Sequence, residues 1–327
     1  MFFSLKYLFL QLKVQIYNCM INREIIRLKV VQVTYAYYQN GGKNVDVAEK
    51  ELFFSLAKAY DLYNYLLMLM VEINRIATRS VETAQNKHKR TGEGEAPSTR
   101  FIENRFINQL EVNAQLQEFQ ESQKKSWSDE ETFVRSLYQK IIETDYYKEY
   151  MAAETTTYAD DRELWRKIYK NIICNNEELD AILEDISLYW NDDKYIVDTF
   201  VLKTIKRFEE ANGSKQELLP EFKDEEDREF AHKLFRHTLL NAEYYRSLIA
   251  GNTKNWEFNR IALMDLVIMQ IALAEMLTFP NIPLSVTINE YVDIAKVYST
   301  PRSGSYVNGL LDAIAKKLIA EKKLIKK

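Results

Sequence analysis

The sequence predicts an all-α protein, and three observations carry that prediction. Its 327 residues include only 8 Gly and 5 Pro, most of them in short clusters, so long stretches lack the residues that most disfavour a helix interior. Apolar residues recur at helical spacing, as in Ile26, Val30, Val33 and Tyr37, which places them on one face. Ile261 to Phe279 is apolar almost all the way round, interrupted only by Asp265, Gln270 and Glu275, the pattern of a helix surrounded by others. At 46% hydrophobic content, the chain can fill one large core or two ordinary ones. Its 21 Tyr and 16 Phe supply core bulk and stacking surfaces.

The residues before Met20 have no acidic member, and Lys6, Gln11 and Lys13 interrupt their apolar run. That run is too short and too broken to span a bilayer, and no small-residue cleavage site follows it. Residues 1–19 are therefore read as an extension outside the core fold, a translated upstream region ahead of a natural start at Met20.

Asn22 to Gln39 is the first helix, capped by Asn22 and ended by Asn40, Gly41 and Gly42. Arg23 and Arg27 are four apart and are expected to share an exposed face. A long helical pattern follows from Val45 to about Thr83, through Leu52, Leu56, Tyr63, Leu67, Met70 and Ile76. Gln85 to Ser98 is polar, with two glycines and a proline. It is expected to be a mobile loop whose Lys87 to Arg90 run is solvated. Helical segments resume over 101–121, 129–150, 159–171, 177–190 and 193–211. Ser128 and Glu131 have the spacing of a capping box before the second of these.

Asn212, Gly213 and Pro220 mark a boundary. Acidic residues Glu221, Asp224, Glu225, Glu226 and Asp227 then favour the positive end of a helix that runs to about Ile249. Pro280 and Pro283 close the apolar helix. Thr287 and Glu290 are spaced as a capping box for a helix through Val297. Thr300 precedes Pro301 as a cap precedes a first-turn proline. Gly304 and Gly309 fall inside the last helix, where each costs about 1 kcal/mol relative to Ala. Close approach of another helix or of a ligand would account for them.

Composition narrows the chemistry. The net charge of −4 is not the basic footprint of a free-standing nucleic-acid binder, though it leaves room for a local basic patch. Cys19 and Cys174 have no metal or redox spacing and read as reduced thiols of a cytoplasmic protein. His232 and His237 are five apart, off the spacing that sets two ligands on one helical face. The sequence has no glycine-rich phosphate loop, metal cluster or nucleophile with a partner base, so it offers no catalytic residue and calls for no cofactor.

The informative stretch lies near the C-terminal end. Val286 to Glu290 reads Val-Thr-Ile-Asn-Glu, Ile294 to Lys296 reads Ile-Ala-Lys, and Ser303 is followed by Tyr306-Val-Asn-Gly309. Ahead of them, Ile271 to Met276 places Ala272 and Glu275 at a matching spacing, with Gln270 where the pattern usually has arginine. Together these residues resemble the signature of the NusB family of bacterial transcription antitermination factors. The resemblance is close over about 255–320 and weaker over 22–40, where Arg27, Gln32 and Tyr35 carry it, and over 192–254. It implies a NusB-like helical bundle of two packed subdomains, formed by 20–40 and 192–327. Residues 41–191 then form a large all-helical insertion.

Members of that family bind the boxA segment of nascent RNA together with NusE, a small ribosomal-subunit protein, within the RNA polymerase antitermination complex that promotes processive rRNA transcription. By this resemblance Arg23, Arg27 and Lys29 would meet phosphates, with Arg302 adding a cation where the family is frequently acidic. Tyr35 and Tyr306 would contact bases, and Asp265 would lie at the partner surface. Cationic contacts and aromatic faces are how single-stranded RNA is held. The family's N-terminal arginines are thinned here to Arg23 and Arg27, which supports a second reading: a helical interaction scaffold without RNA binding. A third reading, an RNA cytosine methyltransferase carrying a NusB-like domain, needs a proline-cysteine motif and a cofactor-binding α/β domain, and the sequence has neither.

Overall fold

The computed structural model describes residues 19–92, 96–190, 192–253 and 258–325. The expected extension therefore falls outside the described residues up to position 18. The fold is all-α, and its helices gather into two compact units. One spans Lys58–Glu221; the other joins Ile21–Ala57 to Phe222–Lys327 and carries the signature. The unit over 58–221 overlaps the helical insertion expected over 41–191 but shares neither bound with it: 41–57 pack with the signature and 192–221 do not. Its first boundary falls within a continuous helix, where sequence shows no break.

In the signature-bearing unit, α1 (Arg23–Gln39) starts where expected: Asn22 Oδ1 accepts the N–H groups of Glu24 at 2.9 Å and Ile25 at 3.0 Å. Gly41 and Gly42, at φ +82° and +57°, end it. Helix α2 (Val45–Thr91) contributes Val45–Ala57 to this unit and the rest to the other. The expected loop from Gln85 is instead helical as far as Thr91. Nothing before Gly92 breaks a helix, and Lys89 and Arg90 sit in the last turn, where the dipole favours cations; Gly92, at φ +66°, ends it.

The unit over 58–221 continues with α3 (Arg105–Glu111), α4 (Ala114–Ser122), α5 (Glu131–Glu143), α6 (Asp145–Ala152), α7 (Tyr158–Ile168), α8 (Glu177–Ile186) and α9 (Lys194–Arg207). Local caps split the longer segments expected from sequence. Asn104, Asn113 and Thr144 each accept a backbone N–H at the start of α3, α4 and α6. The capping box belongs to Ser126 and Asp129, not Ser128 and Glu131, because a 3₁₀ turn that buries Trp127 precedes α5. Indole N–H groups of Trp127 and Trp190 donate to the carbonyls of Tyr65 and Lys58, each at 2.7 Å, so this aromatic core leaves those donors satisfied. After α7 a π-helical turn, Tyr169–Ile173, is closed by Lys194, whose Nζ donates to Cys174 O at 2.6 Å and pairs with Asp198 at 3.0 Å.

The signature-bearing unit resumes with α10 (Glu225–Leu240), capped by Asp224, then α11 (Ala242–Ala250), α12 (Leu263–Thr278), α13 (Leu284–Tyr298) and α14 (Ser303–Ala320). Asn241 divides α10 from α11, where the sequence suggested one helix. Helix α12 is the centre: it packs against α1, α10, α11, α13 and α14, and Val267 to Met276 are buried throughout. Each large aliphatic side chain so buried contributes about 1.5–3 kcal/mol. Among the described residues no helix is long and apolar enough to cross a membrane.

Candidate nucleic-acid interface

Two polar residues inside α12 organise the unit around it. Glu275 is fully buried and receives a bidentate pair from Arg27, Nε to Oε2 at 2.8 Å and Nη2 to Oε1 at 2.9 Å. It also accepts the hydroxyls of Thr287 at 2.8 Å and Tyr291 at 2.9 Å. Burial alone would lower the Arg27 pKa, but the Glu275 carboxylate holds it well above its usual value. Burial and the same carboxylate push the Tyr291 phenol well up. Arg27 is only 4% exposed. The expected exposed Arg23–Arg27 face is therefore corrected: Arg27 locks α1 to α12 and α13 and cannot reach a phosphate.

Arg23 is half-buried. It bonds Glu226 at 2.6 Å and Asp227 at 3.1 Å, and its guanidinium lies 5.0 Å from the centre of the Phe230 ring. The acidic start of α10 thus engages it. Lys29 is buried, which removes it from the expected phosphate surface as well. Tyr35 is half-buried and accepts a hydrogen bond from Gln39 Nε2 at 2.9 Å.

A different group comes together at the start of α14. Asp265, 6% exposed, accepts the Ser303 hydroxyl at 2.8 Å. The same Ser303 oxygen accepts the Thr300 N–H at 3.1 Å. Thr300 is therefore not the cap expected from Thr300-Pro301, because the helix starts at Ser303 and has no side-chain cap of its own. Thr287 is not a cap either: α13 starts at Leu284, and the Thr287 hydroxyl goes inward to Glu275. Fixed in this way, the first turn of α14 presents Arg302, exposed and without an ion pair among the described residues, and Tyr306, 37% exposed. Asp265 Oδ1 is buried with no hydrogen-bond partner. Through Ser303, Asp265 thus ties α12 to the start of α14.

Sequence reasoning missed a second cluster. Gln270, also fully buried in α12, donates to the Tyr38 hydroxyl at 2.7 Å and the Thr238 carbonyl at 2.9 Å, and accepts from Arg246 Nε at 3.3 Å. The one sequence signal was Gln270 itself, standing where the resemblance expects arginine. Arg246 and Tyr38 gave no signal. Among the described residues no cluster of His, Cys, Asp or Glu could hold a metal ion.

Comparison with known proteins bears on this geometry. The sequence profile of the NusB family matches residues 199–316. A transcription antitermination protein NusB from Salinibacter ruber is 40% identical over 120 residues, which are 35% of this chain and 75% of the relative. The chain belongs to the NusB family. A NusB from Geotalea daltonii is 37% identical over 135 residues, 40% of this chain and 88% of the relative. One from Chloroherpeton thalassium is 38% identical over 109 residues, 33% and 52% of the two chains. No solved structure matches the chain. The NusB profile takes in Asp265, Arg302, Tyr306 and the Arg246–Gln270 cluster. It begins inside α9 and leaves out α1, so the packed unit and the matched stretch do not coincide.

Proposed function

We propose that this NusB-family antitermination factor acts without catalysis, by binding boxA-type single-stranded RNA together with NusE in the RNA polymerase antitermination complex, in support of processive rRNA transcription. The observation that carries the reading is the first turn of α14, where the Asp265–Ser303 bond holds Arg302 and Tyr306 at the surface. A cation and an aromatic face one turn apart suit a phosphate and its neighbouring base. The net charge of −4 is no obstacle, because the excess acid lies in the unit over 58–221. Residues 58–221 hold more Asp and Glu than Lys and Arg, whereas the signature-bearing unit holds slightly more Lys and Arg.

The test is a salt titration of binding to a boxA RNA and to a scrambled RNA, with and without NusE. If Arg302 and one further cation contact phosphate, the log–log slope lies near about −1.4, since each contact on a single strand adds about −0.7. Tyr306→Ala is expected to weaken binding by about 1–3 kcal/mol, the range for a base stacked on an aromatic ring. The burial of Arg27 and the pairing of Arg23 favour a second reading, a helical interaction scaffold without RNA binding. It prevails if boxA is not preferred over the scrambled RNA even with NusE present.

A further inference from the structure

Arg246 is a cation held in place with its outer donors open. Its guanidinium lies 4.6 Å from the centre of the Tyr38 ring, and its Nε donates to Gln270 Oε1 at 3.3 Å. Both supports are themselves fixed. Gln270 is fully buried, and its Nε2 bonds the Tyr38 hydroxyl and the Thr238 carbonyl. One buried amide therefore ties α1, α10 and α11 together and sets the guanidinium plane. Among the described residues, the terminal nitrogens of Arg246 meet no acceptor, and no carboxylate pairs with them, including exposed Glu243 one turn earlier on α11.

Arg228 of the same unit also lies over a ring, 5.5 Å from the centre of Phe53, but among the described residues no side-chain hydrogen bond aligns it; several other cations are taken up by carboxylates. Arg23, Arg27, Lys233, Arg236 and Lys316 all meet carboxylates. A half-buried guanidinium stacked on an aromatic ring has already lost much of its rotational freedom, so little more is lost on binding. Its outer edge presents donors in a rigid fork that matches a phosphate. Tyr35 is three residues before Tyr38 and so shares its face of α1. Gln270 is five residues beyond Asp265, about 7.5 Å along the axis of α12. The anchors of both clusters thus sit in the first half of one helix.

We propose that Arg246, stacked on Tyr38 and aligned by Gln270, is a preformed contact for a phosphate of single-stranded RNA, in addition to Arg302 and Tyr306. The proposal rests on the RNA-binding reading above.

The experiment measures binding of the full chain, with NusE, to a fluorescent boxA oligoribonucleotide across a salt series. It compares wild type, Arg246→Gln, Arg246→Lys and Tyr306→Ala, with a thermal melt of each. Arg246→Gln is expected to lose about tenfold in affinity, as for a charge-assisted bond, with a slope shallower by about 0.7. Arg246→Lys keeps the charge and hence the slope, but loses part of the affinity because it can neither fork nor stack as arginine does. A purely structural role for Arg246 would change the melt and leave the slope alone, and that overturns the proposal. If Tyr306→Ala weakens binding while Arg246→Gln matches wild type, the RNA surface stands and Arg246 is not in it. A loss of NusE binding with RNA affinity intact assigns Arg246 to a protein carboxylate and also overturns it. Absence of RNA binding by the wild type removes both readings.

Discussion

At the scale of single residues, the pair Arg27–Glu275 shows how one charge can be spent on the fold. Four donors converge on the Glu275 carboxylate: two from Arg27, one from Thr287 and one from Tyr291. Removing one member leaves the other charge buried without compensation, which costs about 3–5 kcal/mol. Arg27→Ala is therefore expected to lower the unfolding free energy by that amount in urea. The double variant Arg27→Met with Glu275→Gln should recover part of the loss, since a neutral amide accepts one of the Thr287 and Tyr291 hydroxyls through its oxygen and donates to the other through its NH2. A loss below about 1 kcal/mol in Arg27→Ala, the size of an exposed pair, would show that the pair does not hold α1. The sequence marked Arg27 as a cation on the first helix but could not show what it faces, because its partner lies 248 residues away.

At the scale of an element, α14 carries two glycines with different reasons for being there. A Cβ at Gly304 would lie 2.6 Å from Lys296 Cγ, so a larger residue there must displace the Lys296 side chain of α13. A Cβ at Gly309 meets nothing within 4 Å. The two substitutions should therefore have opposite signs. Gly309→Ala is expected to raise stability by about 1 kcal/mol through helix propensity and lower unfolded-state entropy. Gly304→Ala is expected to lower it, because Lys296 must move from its place against the helix. Urea unfolding of both variants checks this, and a destabilising Gly309→Ala would contradict the open space seen there. The need for a reason behind each glycine was visible in the sequence. Which glycine had a packing reason was not, since that depends on a residue from another helix.

At the scale of the whole molecule, buried tyrosines link stability to pH. Burial raises the phenols of Tyr63, Tyr65, Tyr147, Tyr150 and Tyr158 in the unit over 58–221. In the signature-bearing unit it raises Tyr291, and Tyr245 to about 12. Below the ordinary phenol value of 10.0 these groups are protonated in both states, and their contribution to stability is fully present. Above it the unfolded chain releases protons that the folded chain keeps, so stability falls as pH rises toward the folded values. Melting temperature is expected to drop steeply above about pH 10, with tyrosinate absorbance from these residues appearing only as the protein unfolds. Tyrosinate absorbance that rises fully before any loss of helicity would show that the phenols are not shielded.

The sequence by itself determined the helical class, the Asn22 cap, the central helix and the family. Each rests on local spacing or on a contiguous motif, and neither needs a distant partner. It also marked Arg302 and Tyr306, which the fold leaves at the surface. Tertiary structure decided what the polar residues of α1 and α12 do. It turned Arg27 and Lys29 inward, occupied Arg23 with Glu226 and Asp227, sent Thr287 to Glu275 instead of to a helix end, and built the Arg246–Tyr38–Gln270 stack from three separate helices. The physical reason is that a buried polar group must find a partner wherever the fold supplies one. Sequence spacing shows which face a residue occupies, and only packing shows what stands opposite.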